Sequence, residues 1–339
     1  MTNIRMLDPR TDPEPAYWAD LRGRAGLPAC WDYGLLTIAA WCSRFPLLLA
    51  VAGPDECPVG VFCASWVGVP GRWRSYVSAT GRPRAGLVHV RVPGSMSTPG
   101  WWVHPQLSTE DRRDVVRDYL RAMRRELGPG CLGVLWRQVG ESDLSVLPGR
   151  PRLVRETLPV ALLPARWKDV DEWLDSLNRE RRKSMRRRGR QFDADPDLRM
   201  SIAPATRLDT AQVVALQRLH ERKYEHPLWG RMPVPGSYLD ALCRREDVLT
   251  LAYHDGAGRL LSFNVVMDDP TWPIAGYYAA LPANTGGRGH LYFDQYRHLV
   301  SWAIGAGKEG VFWGKGNHEL KREFGATLVR QFVVASSTW

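Results

Sequence analysis

The sequence predicts an α/β (α+β) protein in which one α/β unit is used twice. Three observations carry this expectation. β-Hairpin patterns at 47–66 and 248–267 share an order of apolar run, glycine-containing turn and apolar run. Helical patterns at 108–127 and 291–304 each end on glycines and run into an apolar strand. The helix copies lie about 180 residues apart, and 339 residues suffice for two domains of ordinary size. The repeat is one of pattern and not of residues.

Taken in order, residues 1–30 read as a polar entry segment with a short helix around 17–24, and 33–42 as a helix. The first hairpin pairs strand 47–52 with strand 59–66 across Gly53-Pro54-Asp55. Residues 68–98, rich in Gly, Pro, Arg and Ser, read as a long loop bordering a cleft, with a strand at 87–92. Ser108 caps a helix whose first turn holds Glu110 and Asp111, where acids complement the helix dipole. Its apolar stripe is Val115, Val116, Tyr119, Leu120 and Met123, and Gly128-Pro129-Gly130 stops it before a strand at 131–139. A short strand follows at 158–163.

In the second half, 167–190 reads as one long helix, apolar at Val170, Trp173, Leu174 and Leu177 and basic thereafter. Residues 209–224 form an amphipathic helix with Val213, Leu216 and Leu219 inward. The second hairpin, strand 274–281, helix 291–304, strand 310–313 and strand 328–335 complete the repeat, the last echoing 158–163.

Composition narrows the function classes. A hydrophobic content of 44% with 15 Trp excludes a disordered chain. The most apolar region, 35–52, is interrupted by Ser43, Arg44 and Pro46, so no membrane span is expected. Residues 1–23 have acids and prolines where a signal peptide needs an apolar run. The six cysteines show neither CxxC nor a histidine partner at zinc spacing, so reduced thiols in a cytoplasmic protein and no metal site are expected. Net charge is +10, and eight basic residues against Glu180 give 179–190 a local charge of +7. The basicity is a site property. No Ser/His/Asp order, HExxH or Walker sequence is present.

The loop Gly286-Gly287-Arg288-Gly289-His290 between a strand and a helix has the context of a pyrophosphate site, with Arg288 as a bidentate donor. Strand, loop and helix resemble the acyl-donor motif of the GNAT (Gcn5-related N-acyltransferase) superfamily. There an R/Q-x-x-G-x-G/A loop holds the pyrophosphate of coenzyme A or a phosphopantetheine arm; Arg288 and Gly289 fall in a shortened version of it. Residues 305–325 resemble the closing signature of the tandem-GNAT FemABX and BioF2-like branch, through Ala303 with Gly307, Phe312-Trp313-Gly314, Asn317 and Lys321-Arg322-Glu323-Phe324-Gly325. The basic run also resembles the R-R-x-x-x-R-x-x-R segment of such proteins. The resemblance covers most of 165–335 and, in pattern only, 30–165.

It implies two tandem GNAT-like domains, each a mixed, mostly antiparallel sheet flanked by helices. Residues 1–165 would bind the acceptor, since His104-Pro105-Gln106-Leu107 stands where a donor loop would be; 166–339, opening with helix 167–190, would bind the donor and catalyse. The implied reaction is N-acyl transfer, forming an amide on a peptide or peptide-like amine from an acyl-CoA or acyl carrier protein thioester. Coenzyme A or phosphopantetheine thioester would serve as co-substrate, with no tightly bound cofactor. The alternatives are tRNA-dependent aminoacyl transfer of Fem type, and a non-enzyme module that binds nucleic acid or an acidic protein.

Lys321 aligns with the lysine that lies near the transferred group in Fem enzymes, and equally fits a solvated lysine. The splay between 274–281 and 310–313 would form the slot for the thioester arm. Tyr278 on its border would protonate the leaving thiolate, and Asp294 would orient the amine or complement the dipole. His220 occupies a polar position at its helix end, or caps it. His290 would join the loop glycines and Arg288 at the donor phosphate. Arg181, Arg182, Lys183, Arg186 and Arg187 would dock an acidic acyl carrier protein or an aminoacyl-tRNA.

Overall fold

The structure, a computed structural model, describes residues 2–43, 45–68, 85–95, 97–148, 152–204, 207–223 and 234–337. The chain forms two compact units, Met1–Leu158 with Arg330–Trp339, and Pro159–Val329.

The first unit contains β1 (Ile4–Leu7), α1 (Trp18–Arg24), α2 (Tyr33–Cys42), β2 (Leu47–Ala52), β3 (Gly60–Gly68), β4 (Gly86–Val90), β5 (Trp101–Val103), α3 (Thr109–Leu127), β6 (Cys131–Gly140) and β7 (Arg152–Glu156). The second contains β8 (Val160–Pro164), α4 (Val170–Ser176), α5 (Arg179–Asp193), β9 (Leu198–Pro204), α6 (Thr210–Lys223), α7 (Gly236–Cys243), β10 (Val248–Asp255), β11 (Leu260–Met267), β12 (Ile274–Ala280), α8 (Leu291–Gly305), β13 (Gly310–Gly314), α9 (His318–Glu323) and β14 (Thr327–Val329). The last strand, β15 (Gln331–Ser336), returns to the first unit.

Strand order states the duplication directly. The first sheet runs β1-β2-β3-β4-β6-β15-β7, with β5 on β3, and the second runs β9-β10-β11-β12-β13-β8-β14. Each has a parallel pair at the same place, β4 with β6 and β12 with β13, among antiparallel neighbours. The strand after the first unit's β7 enters the second sheet between β13 and β14, and β15 enters the first between β6 and β7. This reciprocal exchange separates residues expected to form one strand at 328–335, which part at Arg330 into β14 and β15. It also moves the division from 165/166: β8 belongs to the second unit and 330–339 to the first.

Local chemistry explains the elements. Ser108 Oγ accepts from the Asp111 amide at 3.1 Å and starts α3, whose apolar stripe buries Val115, Val116, Tyr119 and Met123 on the sheet. Phe62 stacks on Tyr119 at 4.1 Å, and the edge of Trp136 closes the cluster. The expected long helix at 167–190 is two helices. Leu177 is extended, and Asn178 Oδ1 accepts from the Arg181 amide at 2.8 Å, capping α5 afresh. Five elements were not expected: the short strands β1 and β5, then β7, whose residues are all exposed, β9 and α7. The strand expected at 87–92 is β4, and 69–84 lie outside the described residues. Among the described residues no helix is long and apolar enough to cross a membrane.

Candidate active site

The two parallel strand pairs differ where chemistry would need them to. In the first unit β4 is zipped to β6, with Gly86 through Val90 all paired to residues between Cys131 and Trp136. In the second, β12 and β13 pair at Ile274 with Phe312, and among the described residues no further pairing follows. Beyond Ile274 the strands part, and β12 runs on without β13 paired to it among the described residues. This is the splay expected at 274–281.

The glycine loop lies at the end of that edge. Gly286 takes a left-handed φ of +89°, and a Cβ on Gly287 would overlap the carbonyl oxygen of Leu281, so each position requires glycine. Gly289 has open space around its Cβ position. His290 is the N-cap of α8 with φ +69° and no side-chain cap. Its carbonyl accepts from the Phe293 amide at 2.9 Å, and the amides ahead of Phe293 face outward from the helix start.

Cations surround this terminus. Arg288 Nε lies 3.5 Å from Asp195 Oδ2 and its side chain is 40% exposed, so the loop arginine remains accessible. Arg259, from the turn between β10 and β11, donates to Thr285 O at 2.9 Å and lies against Gly286. Arg188 of α5 stacks over Phe293 at 4.7 Å. Its buried Nη1 has no hydrogen-bond partner among the described residues. Burial and then the charges of Arg188 and Arg187 push the His290 pKa down. An unpaired guanidinium nitrogen beside free helix amides calls for an anion.

The basic helix divides by face. Arg181 is ion-paired to Glu323, and Arg182 and Arg186 both reach Asp175. These three expected docking residues therefore hold α5 to its neighbours. Lys183 and Arg187 remain exposed, and with Arg179 and Arg190 they form one solvent-facing stripe at helical spacing.

Of the expected catalytic residues, the structure brings His220 and Tyr278 together. Their rings meet edge-on at 5.9 Å, His220 from α6 and Tyr278 from the splayed part of β12. His220 is half-buried, and burial followed by Lys223 lowers its pKa, which keeps the imidazole neutral at pH 7. Tyr278 meets Tyr292 of α8 at 5.0 Å. The Tyr292 hydroxyl lies 2.6 Å from Tyr296 Oη and 3.0 Å from Asn317 Nδ2.

Lys321 and Asp294 stand apart from that line. Lys321 is 4% exposed, and its Nζ donates to the carbonyl oxygens of Trp313 at 2.7 Å, Gly314 at 3.3 Å and Lys315 at 3.0 Å. All three ammonium protons are used on the turn between β13 and α9, so Lys321 is neither a solvated lysine nor a base open to an amine. Burial pushes its pKa down to about 8. Asp294 is 2% exposed and accepts from Tyr253 Oη at 2.9 Å and Arg297 Nε at 2.9 Å, with His298 Nε2 at 3.2 Å. Arg297 continues to Asp193 at the end of α5. Asp294 is thus a buried anion joining α8 to β10 and α5, and not a carboxylate that orients an amine.

Sequence reasoning missed Arg188, Arg259 and Tyr292. Arg188 shares the inward face of α5 with Met185 and Phe192, a pattern visible at i, i+3 and i+7. Tyr292 and Tyr296 lie at i, i+4 on the donor helix and could have been paired. Arg259 is 27 residues from Gly286, and local sequence gives no sign of their approach.

No known family profile matches the sequence, and no curated protein matches it. Solved structures do. The C-terminal domain of a putative lysylphosphatidylglycerol synthetase from Agrobacterium fabrum is similar at TM-score 0.61 and 12% identity, over 94% of this chain and 90% of that one. L-PGS from Bacillus licheniformis is similar at TM-score 0.61 and 11% identity, over 96% and 93%. FemX is similar at TM-score 0.57 and 11% identity, over 93% and 95%. At such identities the likeness concerns the fold alone, here two units that are each a mixed, mostly antiparallel sheet flanked by helices.

Proposed function

We propose that the chain is an N-acyltransferase that takes its acyl group from a coenzyme A or phosphopantetheine thioester and places it on an amine of a peptide or peptide-like acceptor. The observation that carries this reading is the contrast between the zipped β4/β6 pair and the splayed β12/β13 pair above a cationic glycine loop. The edge along which β12 parts from β13 suits the amides of an extended pantetheine arm. The amides at the start of α8, Arg188, Arg259 and Arg288 suit its phosphates. The closed pair in the first unit leaves that unit to the acceptor.

In this reading the amine nitrogen attacks the thioester carbonyl carbon, forming C–N as C–S breaks. Neutral His220 takes the amine proton and Tyr278 gives one to the departing sulfur, so the products are an amide and a free thiol. The FemABX and BioF2-like signature at 303–325 supports acyl transfer chemistry by resemblance. The exposed stripe of α5 favours a donor carried on a macromolecule, an acidic carrier protein first and a charged tRNA second; the fold shared with FemX keeps the second in view.

Purified protein with acyl-CoA, acyl carrier protein or charged tRNA, and a generic amine, tests this by mass spectrometry. Consumption of a thioester with a mass gain on the amine is expected. Consumption of charged tRNA alone would transfer the reading to aminoacyl transfer, and consumption of none would sink it.

A further inference from the structure

The hydrogen bonding at the start of α8 assigns a role to a residue outside the expected set. Tyr292 is the second residue of α8 and is half-buried. Its ring meets Tyr278 of the splayed strand at 5.0 Å, and its hydroxyl is held at 3.0 Å by Asn317, three residues beyond the end of β13. The hydroxyl therefore sits between the ends of the two diverging strands.

Its donor and acceptor capacity is almost fully committed. A phenol has one proton to give and two lone pairs to receive with. The Asn317 amide nitrogen can only donate. Tyr296 is 5% exposed, and its hydroxyl proton has Tyr292 Oη, at 2.6 Å, as its acceptor. A reversed bond would strand that buried proton, which costs more than the bond gains. Both lone pairs of Tyr292 are thus filled, and its own proton is the capacity that remains. It lies on the first turn of α8, where the helix dipole also favours negative charge.

We propose that Tyr292 is a catalytic residue whose hydroxyl donates a hydrogen bond to the thioester carbonyl oxygen as that oxygen gains negative charge. The inference rests on the acyl-transfer reading and adds to it. No proton changes hands at Tyr292. When the amine attacks, the carbonyl π electrons move onto the oxygen, the Tyr292 O–H bond points at it, and the charge returns to carbon as C–S breaks. Tyr296 and Asn317 fix the hydroxyl beforehand, so it need not reorganise during the reaction.

The test compares Tyr292→Phe with the native protein on an alkyl thioester and on an aryl thioester of the same acyl group. Loss of one such donor should lower kcat by about 100- to 1,000-fold with KM changed less than about threefold. The loss should be equal for the two esters, because the carbonyl oxygen is common to both. Tyr296→Phe, which frees one lone pair of Tyr292, should give a smaller loss of kcat and the same equality, and covers the case in which Tyr292→Phe fails to fold. Undiminished rates in the variants would overturn the assignment, as would a loss that vanishes with the better aryl leaving group. Failure of the native protein to consume either ester would sink the acyl-transfer reading and this role with it, an outcome separable from a loss confined to the variants.

Discussion

Lys321 Nζ donates to the carbonyl oxygen of Trp313 at 2.7 Å, and the same ammonium binds the next two carbonyls of the chain. A charge that serves three carbonyls fixes the turn in which Gly314 and Gly316 take left-handed φ values of +63° and +82°. That turn delivers Asn317 to Tyr292. Lys321 is therefore a positioning residue, and its substitution should act on stability and turnover together.

Lys321→Met should cost roughly 1–3 kcal/mol, since it leaves buried carbonyls without donors. The pH dependence follows from the lowered pKa of about 8 against an ordinary 10.5. Between these values the unfolded chain binds the proton that the folded chain releases. Native stability should rise as pH increases through that window, with the burial cost fully present below pH 8. Thermal melts of both proteins from pH 7 to pH 10 check this. A variant that lost turnover but kept its melting curve would return Lys321 to the reacting atoms.

Asp294 makes the opposite case. Internal donors occupy its carboxylate, and although burial works to raise its pKa, His298 and Arg297 bring the balance below the ordinary value. Its contribution to stability should be present above the unfolded pKa near 3.8 and be lost as pH falls through the folded value. Asp294→Asn should destabilise by about 1.5–3 kcal/mol at neutral pH, the range for a hydrogen bond to a charged group. It should also flatten the acid limb of the stability profile. Chemical denaturation at pH 7 and pH 3 measures both; an unchanged acid limb would place the carboxylate outside the network.

The glycines of the donor loop should separate folding from binding. Gly287→Ala drives a methyl group into the Leu281 carbonyl, so it should shift the loop and lower the melting temperature as well as donor affinity. Gly289→Ala meets no protein atom within 4 Å. It should leave the melting temperature unchanged and weaken coenzyme A binding about tenfold or more, because its methyl group would occupy space that the phosphates need. Calorimetric titration with coenzyme A reads this. Equal affinity for Gly289→Ala and the native protein would move the phosphates elsewhere.

Much of this frame is legible from local chemistry. The two hairpins, the Ser108 cap and the strand–loop–helix at 274–304 rest on period and turn residues, and they fold as those residues dictate. The site is legible where one element supplies it, as with Gly286 and Gly287. What escapes is set by tertiary pairing. Residues 158–163 and 328–335 carry like patterns, and nothing in them tells that β8 and β15 exchange sheets. Lys321 and Asp294 look reactive in sequence because charge attracts attention, and burial with satisfied partners makes them structural. The break at Asn178 hides behind a helical pattern, because a capping side chain overrides it locally.

That break also changes which basic residues should bind a partner. Arg181, Arg182 and Arg186 are committed to Glu323 and Asp175, so replacing them should disturb α5 itself and reduce activity with every donor alike. Arg179, Lys183, Arg187 and Arg190 face solvent along one stripe. Exposed charges that attract a distant partner act through a field that salt screens over about 8–10 Å. Reversing two of them, Lys183→Glu with Arg190→Glu, should raise KM for a macromolecular donor by about tenfold or more at low salt and leave KM for free acyl-CoA within about twofold. The difference should shrink as ionic strength rises from 50 mM to 300 mM, because the native protein loses the attraction that the variant lacks. Steady-state kinetics with both donors across that series decides the matter. Equal effects on the two donors would show that the stripe serves the fold, and an effect indifferent to salt would show that the two side chains act by contact and not by field.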